Sequence, residues 1–375
     1  MPNKPKVIIG LSGGVDSSVG IIKLQEAGYD VEAMFMRNWD SAVNNDILGN
    51  PDLMDEVCPQ EKDYMDAKRV AEQLGVKLYR IDFIEEYWNE VFTYFLEEYK
   101  RNRTPNPDIL CNKEIKFKAF LKKAEEMGAD YIAMGHYARV IHDGDKHYLL
   151  RGVDSNKDQT YFLSQLTSAQ LSKALFPVGE LTKPEVRKIA TEHNLVVATK
   201  KDSTGICFIG ERNFKEFLKN YLPAQPGNMV TSDGTVVGTH EGIMYYTIGQ
   251  RHGLGIGGPG EAWFVIGKNP QKNELIVGQG DEQELLFANR AIIKDINIIN
   301  GPLVNTDTLS AKFRYRAPDV KVKIKYLDDN TIEVITSEPV KAITPGQACV
   351  FYDGEYCLGG GTIDEVYMDD VKRRY

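Results

Sequence analysis

Over the first two hundred residues, short unbroken apolar runs alternate with stretches whose apolar positions recur at helical spacing, the pattern of strands buried between helices. Lys6-Val7-Ile8-Ile9 reads as a buried strand, Val19 to Ala27 as a helix stopped at Gly28, and Val31 to Met36 as a second strand, so the chain opens βαβ. Glu61 to Leu74 predicts a helix ending at Gly75, and Lys77 to Asp82 a strand. Glu85 to Lys100 predicts a helix with Trp88, Val91, Phe92 and Phe95 on its core side. Lys113 to Met127 predicts a helix closed by Gly128, and Tyr131 to Met134 a further strand. Thr182, with Pro184 and Glu185, makes a capping box that starts another helix. The alternation predicts an α/β fold, a doubly wound parallel sheet with helices on both faces. Between Arg37 and about Gln60 no period is sustained. A connection that long, at the carboxyl end of a strand, lies where such sheets bind ligands.

Beyond about Phe214 the pattern changes. From Pro226 to Gly280 glycine recurs between short apolar runs, notably in Thr247-Ile248-Gly249-Gln250-Arg251-His252-Gly253-Leu254-Gly255, which predicts a small mixed domain of turns and short strands. From Ala291 the period becomes two: Val320, Val322, Ile324 and Tyr326 alternate with Lys321, Lys323 and Lys325, and Asp328-Asp329-Asn330 turns into Thr331 to Ile335. That predicts a C-terminal antiparallel β-barrel with one basic face. The expected divisions are residues 1–214, 215–290 and 291–375.

Composition narrows the class. No apolar run approaches the roughly twenty residues of a membrane span, and Met1 to Pro5 enters the first strand without a secretory segment, so the expectation is a cytoplasmic protein with no membrane partner. The five cysteines, Cys58, Cys111, Cys207, Cys349 and Cys357, are odd in number and not in CxxC pairs, and each is judged alone. Cys349 and Cys357 fall in barrel strands and read as packing residues. A net charge of −9 argues against indiscriminate nucleic-acid binding but leaves room for local basic surfaces. Lys100, Arg101 and Arg103 with Lys113, Lys116, Lys118, Lys122 and Lys123 form one such run. Lys312, Arg314 and Arg316 with the three barrel lysines form another. A solvated face is the plain reading of both.

Chemistry begins at Gly10-Leu11-Ser12-Gly13-Gly14-Val15-Asp16-Ser17-Ser18, which joins the first strand to the first helix. Adjacent glycines let the backbone approach a ligand, and the serines and the first helical amides offer donors to an anion. This describes a phosphate cradle. A Walker-type loop would end in Gly-Lys-Ser/Thr, yet no lysine stands between Lys6 and Lys23, and the G-x-G-x-x-G dinucleotide fingerprint is absent. The loop resembles that of the ATP-pyrophosphatase superfamily, whose members hold the β and γ phosphates as leaving pyrophosphate and put AMP on a substrate oxygen. The plain alternative is a glycine-rich turn with no ligand.

Four more stretches carry candidate chemistry. In Thr104-Pro105-Asn106-Pro107-Asp108-Ile109-Leu110-Cys111-Asn112 the alternate prolines hold the backbone extended, so Asp108 and Cys111 are expected at a rigid turn just before the helix from Lys113. There the helix dipole, Lys113 and Lys116 favour a thiolate on Cys111; the alternative is a buried structural cysteine. Gly135-His136-Tyr137-Ala138-Arg139 follows a strand beside the first turn, with His136 either structural or functional. Lys157-Asp158-Gln159-Thr160-Tyr161 is a polar stretch suited to a ligand. Cys207, in Asp202-Ser203-Thr204-Gly205-Ile206-Cys207-Phe208-Ile209-Gly210, lies between apolar neighbours that by themselves make it a core residue.

These blocks, taken in order with Thr247 to Leu254, closely resemble bacterial tRNA-specific 2-thiouridylases over almost the whole chain. The resemblance implies an enzyme, a sulfurtransferase that makes 2-thiouridine at the wobble position (U34) of tRNAs for Lys, Glu and Gln. It implies ATP with Mg2+ held by Gly10, Leu11, Ser12, Gly13, Gly14, Val15, Asp16, Ser17 and Met36, with Gly135 close to the nucleotide. It implies a persulfide on Cys207, Cys111 as its catalytic partner with a transient disulfide between them, and Asp108 handling protons. Asn106, Pro107 and Asp108 match positions that meet the target base. Lys157, Asp158, Gln159, His136, Arg314, Tyr315 and Gln347 match positions that touch tRNA. The implied partners are tRNA and a sulfur donor, either a cysteine desulfurase or a sulfur-relay protein. Rivals from the residues themselves are an amide-forming ATP-pyrophosphatase that needs no thiols, an ATP-dependent RNA-binding module without catalysis, and an iron–sulfur site built from Asp108, Cys111 and Cys207.

Overall fold

In the computed structural model of the chain, residues 4–51, 59–202, 205, 209–210, 212–280 and 284–375 are described. Four strands, β1 (Lys6–Gly10), β2 (Asp30–Arg37), β3 (Leu78–Asp82) and β4 (Tyr131–Ala133), are followed by a hairpin of β5 (Ala138–Asp143) and β6 (Lys146–Arg151) and a two-residue strand, β7 (Ala174–Leu175). All pairings in the β3-β2-β1-β4-β7 sheet are parallel. The order reverses between β1 and β4, which opens a crevice at their carboxyl ends.

Alternation along β1 separates two cores, because successive strand side chains point to opposite faces. Val7 and Ile9 pack with Val19 and Ile22 of α1 (Val15–Glu26), Val70 of α2 (Pro59–Leu74) and Val186 downstream, whereas Ile8 joins Phe92, Phe95, Ile115 and Phe120. That second face is covered by two long helical runs, α3 (residues 84–100) and α4 (residues 107–126), and each contains a π-wound stretch, Trp88–Phe92 and Cys111–Ala119. As the spacing predicts, Val91, Phe92 and Phe95 are buried, and the Phe92 and Phe95 rings stack at 5.5 Å.

One local expectation is corrected. Asp108 and Cys111 are not in a turn ahead of a helix but inside one that has already begun at Pro107. The reason is that a proline at the first helical position gives up only an N–H that has no helical partner, and Asn106 caps it, its Oδ1 accepting from the N–H groups of Asp108 (3.1 Å) and Ile109 (3.4 Å). The Pro-Asn-Pro signal therefore starts the helix.

The next region is a small mixed sheet of β8 (Gly227–Val230), β9 (Val236–His240), β10 (Trp263–Asn269) and β11 (Glu274–Gln279), ordered β10-β11-β8-β9, with only β11 and β8 parallel. The last is an antiparallel barrel of β12 (Phe287–Ile298), β13 (Leu309–Lys312), β14 (Val320–Asp328), β15 (Thr331–Lys341), β16 (Ala348–Asp353) and β17 (Tyr356–Met368). Its order is β12-β15-β14-β13-β16-β17, and β17 pairs back onto β12. Along β14, Val320, Val322 and Ile324 are buried while Lys321, Lys323 and Lys325 face solvent. Cys349 and Cys357 are buried, and burial pushes their thiols up, that of Cys357 to about 12. Where β12 leaves β17, β6 takes its place, with Leu150 opposite Tyr356 and Leu149 opposite Cys357. A hairpin from the first region thus extends the third region's sheet. Among the described residues no helix is long and apolar enough to cross a membrane.

Candidate active site

The loop between β1 and α1 is shaped by what cannot be there. Gly13 has φ +75, and a Cβ on it would lie 2.2 Å from the carbonyl oxygen of Asp63, so both conformation and space require glycine. Ser12 N–H and Oγ lie 3.3 and 3.2 Å from Ser17 Oγ, and Ser18 Oγ donates to Gly14 O at 2.7 Å. Gly14, the N-cap of α1, supplies no side-chain acceptor, which leaves the helix's first amides to an anion. Val15 is buried against the sheet behind.

Residues far along the chain complete the cradle. A Cβ on Gly135 would meet Ser17 N at 2.9 Å, and one on Gly10 would meet Met134 Sδ at 2.8 Å and Met36 Cε at 3.2 Å, so Gly10, Met36 and Gly135 converge on the loop and the first turn of α1. Lysines absent from the loop's own sequence reach it from elsewhere. Lys183, at the start of α5 (Lys183–Glu192), places Nζ 2.7 and 2.9 Å from the two Asp16 carboxylate oxygens and 2.7 Å from Asp202 Oδ1. Lys200 Nζ donates to Gly13 O at 3.0 Å and pairs with Asp63 and Asp66, each at 2.7 Å. Tyr137 OH donates to Asp16 at 2.8 Å, and burial together with that carboxylate pushes the phenol's pKa up. The α/β pattern sets the Gly135 to Arg139 turn, and Tyr137 with it, beside the loop, but nothing in the sequence pattern singles out Lys183 or Lys200, each more than a hundred positions away.

Cys111 is fully buried at the start of the π-wound stretch of α4, one turn after Asp108. Asn112, next to it, donates from Nδ2 to Phe162 O at 3.1 Å. His136 is buried against the rings of Phe117 and Phe176, with Nε2 3.5 Å from Lys116 Nζ. Burial first, and the Lys116 charge second, hold its pKa well below the usual histidine range, so the ring is neutral at pH 7. Cys207 and Cys58 lie outside the described residues. On one side of the Cys207 stretch, Asp202 takes Lys157 (2.7 Å), Lys183 and Arg187 (2.9 Å). Partial burial opposes its ionisation, but the Lys157 and Lys183 ammonium groups hold its carboxyl at about 2. On the other side, the Arg212 guanidinium meets Asp46 Oδ2 at 3.0 and 2.8 Å, a pair almost wholly out of solvent.

Residues 5–211 match the family model described as the tRNA methyl transferase HUP domain, residues 215–279 the tRNA methyl transferase PRC-barrel domain, and residues 289–363 the Aminomethyltransferase beta-barrel domain. The tRNA-specific 2-thiouridylase MnmA of Acholeplasma laidlawii is 57% identical over 375 residues, covering 99% of this chain and 100% of that protein. Proteins of the same name from Bacillus mycoides and Bacillus cytotoxicus are 55% and 56% identical over 376 residues, covering 100% of this chain and 99% of each of them. The chain belongs to the tRNA-specific 2-thiouridylase family.

In this thiouridylase-family chain, the residues matched to tRNA contacts are engaged within the protein. Lys157 is on Asp202, Asp158 is buried and accepts from Gly152 N–H (3.2 Å) and Thr160 N–H (3.3 Å), and Gln159 Oε1 accepts from Tyr137 N–H at 3.0 Å. Arg314 donates to Ile248 O and Thr344 Oγ1, both at 2.7 Å, and the Tyr315 ring lies 4.3 Å from that of Phe162. Gln347 Nε2 donates to Thr104 O at 2.7 Å and to Pro105 O at 3.3 Å. Arg314 and Gln347 thereby join the barrel to the middle region and to the segment that precedes Asn106.

Proposed function

We propose that the chain is an ATP-dependent sulfurtransferase that converts the wobble uridine of tRNAs for Lys, Glu and Gln to 2-thiouridine. The observation that carries this is the identity of 54–57%, over essentially full length, to proteins named tRNA-specific 2-thiouridylase. The glycine-rich loop at the sheet's reversal point supports the use of ATP, and the resemblance of the Cys111 and Cys207 blocks to those of the family supports sulfur transfer.

The C2 oxygen of uridine is a poor leaving group, so it first attacks the α phosphorus of ATP, and pyrophosphate departs. The donors of residues 10–17 and the cations Lys183 and Lys200 stabilise that charge electrostatically. Mg2+ accompanying the ATP held by residues 10–17 would neutralise part of the phosphate charge. Cys207 carries sulfur as a persulfide whose terminal sulfur attacks C2, and AMP leaves with the former oxygen. The base is then joined to Cys207 through a disulfide. Cys111 thiolate attacks the Cys207 sulfur, the base leaves as 2-thiouridine, and the two cysteines become a disulfide. An external thiol reductant restores both, and a cysteine desulfurase or sulfur-relay protein reloads Cys207. Asp108 handles protons at the base, and Asn106 and Pro107 meet it after it has been splayed from the anticodon loop. His136, Lys157, Asp158, Gln159, Arg314, Tyr315 and Gln347 serve tRNA docking, either directly or by shaping the surface that receives it. The reaction belongs in the cytoplasm, where tRNA and reductant are available.

The test is nucleoside mass spectrometry of tRNA incubated with the protein, ATP, cysteine and a cysteine desulfurase. ATP-dependent 2-thiouridine that disappears in Cys207→Ser is expected, and undiminished product from Cys111→Ser or Cys207→Ser would refute the scheme.

A further inference from the structure

Four residues, 102–105, form a strap leading from α3 into the helix that carries Asp108 and Cys111, and both later regions of the chain grip it. Lys268, on β10, is 4% exposed and donates from Nζ to Asn102 O at 2.8 Å. Its own N–H donates to Arg374 O at 2.6 Å, which ties it to the C-terminal residues as well. The Thr104 N–H donates to Pro345 O at 3.0 Å, Thr104 Oγ1 lies 3.2 Å from Thr247 Oγ1, and Gln347 Nε2 holds the Thr104 and Pro105 carbonyls. Arg103 pairs with Asp364 of β17. The approach is close enough to require Gly346, at φ +89, where a Cβ would stand 3.0 Å from the Thr104 backbone.

A buried ammonium is costly, and burial alone pushes Lys268 down to about 7. Methionine would fill the same volume without that cost. What the lysine provides is a donor aimed at Asn102, a residue held at φ +63, at the point where the chain leaves α3 for the strap.

We infer that Lys268 is a positioning residue for the thiolation reaction, fixing the 102–105 strap so that Asn106, Asp108 and Cys111 meet the target base in one register. Resting as it does on the thiolation reading of Asp108 and Cys111, this deepens that reading: the middle region is part of the active-site frame as well as a neighbour of it.

The experiment uses full-length Lys268→Met and Lys268→Arg with three readouts: thiolation kinetics with tRNA varied, melting temperature, and the iodoacetamide alkylation rate of Cys111 followed by peptide mass spectrometry. Misplacing reacting groups by about 1 Å costs up to about a hundredfold, so folded Lys268→Met is expected to lose about tenfold or more in kcat with KM for tRNA within about twofold. Loosening the strap exposes Cys111, and its alkylation is expected to accelerate about fivefold or more. Lys268→Arg, which keeps a donor, recovers most of both. Unchanged kcat, or unchanged Cys111 alkylation, in folded Lys268→Met overturns the inference, as does thiolation that falls only in proportion to folded protein. If Lys268→Met does not fold, Thr247→Val, which removes another contact on the strap, is expected to move both readouts about twofold in the same directions, and no movement overturns the inference. Full thiolation by Cys111→Ser would instead sink the thiolation reading, while the alkylation readout would still judge the strap.

Discussion

Gln347 Nε2 donates a 2.7 Å hydrogen bond to the carbonyl oxygen of Thr104, 243 positions earlier in the chain. The bond crosses from the last region to the residue two before Asn106, so a side chain matched to tRNA contact also sets the segment proposed to meet the base. Gln347→Leu leaves two carbonyls without this donor. It should cost about 1–2 kcal/mol in urea unfolding and slow thiolation at saturating tRNA. A variant that lost tRNA affinity alone, with stability and kcat intact, would assign Gln347 to tRNA contact only.

Of the glycines in the loop at residues 10–18, Gly13 is the most constrained. Gly13→Ala meets both a left-handed backbone, at about 1 kcal/mol or more, and the Asp63 carbonyl 2.2 Å away. ATP affinity measured by equilibrium dialysis should fall about tenfold or more, since the loop must open to admit the methyl group. Unaltered affinity would separate this loop from ATP.

Lys183 sits between Asp16 and Asp202. Lys183→Met leaves two carboxylates facing each other where phosphates are proposed to bind, and KM for ATP should rise about tenfold, a loss on the scale of one charge-assisted hydrogen bond. Steady-state kinetics with ATP varied checks it, and an unchanged KM contradicts it.

The buried amine of Lys268 makes stability depend on pH with a definite sign. Its ordinary value is 10.5 and its folded value about 7, so between these the unfolded chain holds a proton that the folded chain does not. Stability therefore rises with pH across that window, by about 1.4 kcal/mol per unit at most. Methionine does not titrate. Urea unfolding at about pH 7, 8 and 9 should show the wild type gaining on Lys268→Met at each step, and parallel curves would mean that the lysine titrates normally in the fold.

On β14 the exposed Lys321, Lys323 and Lys325 form a row about two residues apart along one face. If that face follows an RNA backbone, replacing all three by Glu should weaken tRNA binding and reduce the slope of log affinity against log salt by about 2–3. An unchanged slope would make the row a solvated face.

What could be read from the sequence was local. The loop at residues 10–18 was legible because strand, glycines and helix are contiguous, and β14 was legible because its alternation is unbroken. Pro105 and Pro107 read as holding a turn, yet such residues either break a helix or begin one according to which position the cap takes, and the Asn106 side chain decides for a beginning. The lysines on the phosphate loop, and the grip of Lys268 and Gln347 on the strap, join positions 134 to 243 apart and leave no periodic trace. Arg314, which the sequence pattern assigns to a solvated face, is taken up by the Ile248 carbonyl of the middle region, and Asp158, in a stretch read as suited to a ligand, is taken up by amides of its own loop.

The central claim, that Cys207 hands sulfur to the base and Cys111 releases it, is tested most directly by one turnover without reductant. The protein is loaded as persulfide, mixed with ATP and tRNA, quenched in acid with alkylating agent, and digested for peptide mass spectrometry. A peptide pair joined by a Cys111–Cys207 disulfide, in amount equal to the 2-thiouridine formed, is the predicted result. 2-Thiouridine formed while both cysteines are recovered alkylated and unlinked would contradict it.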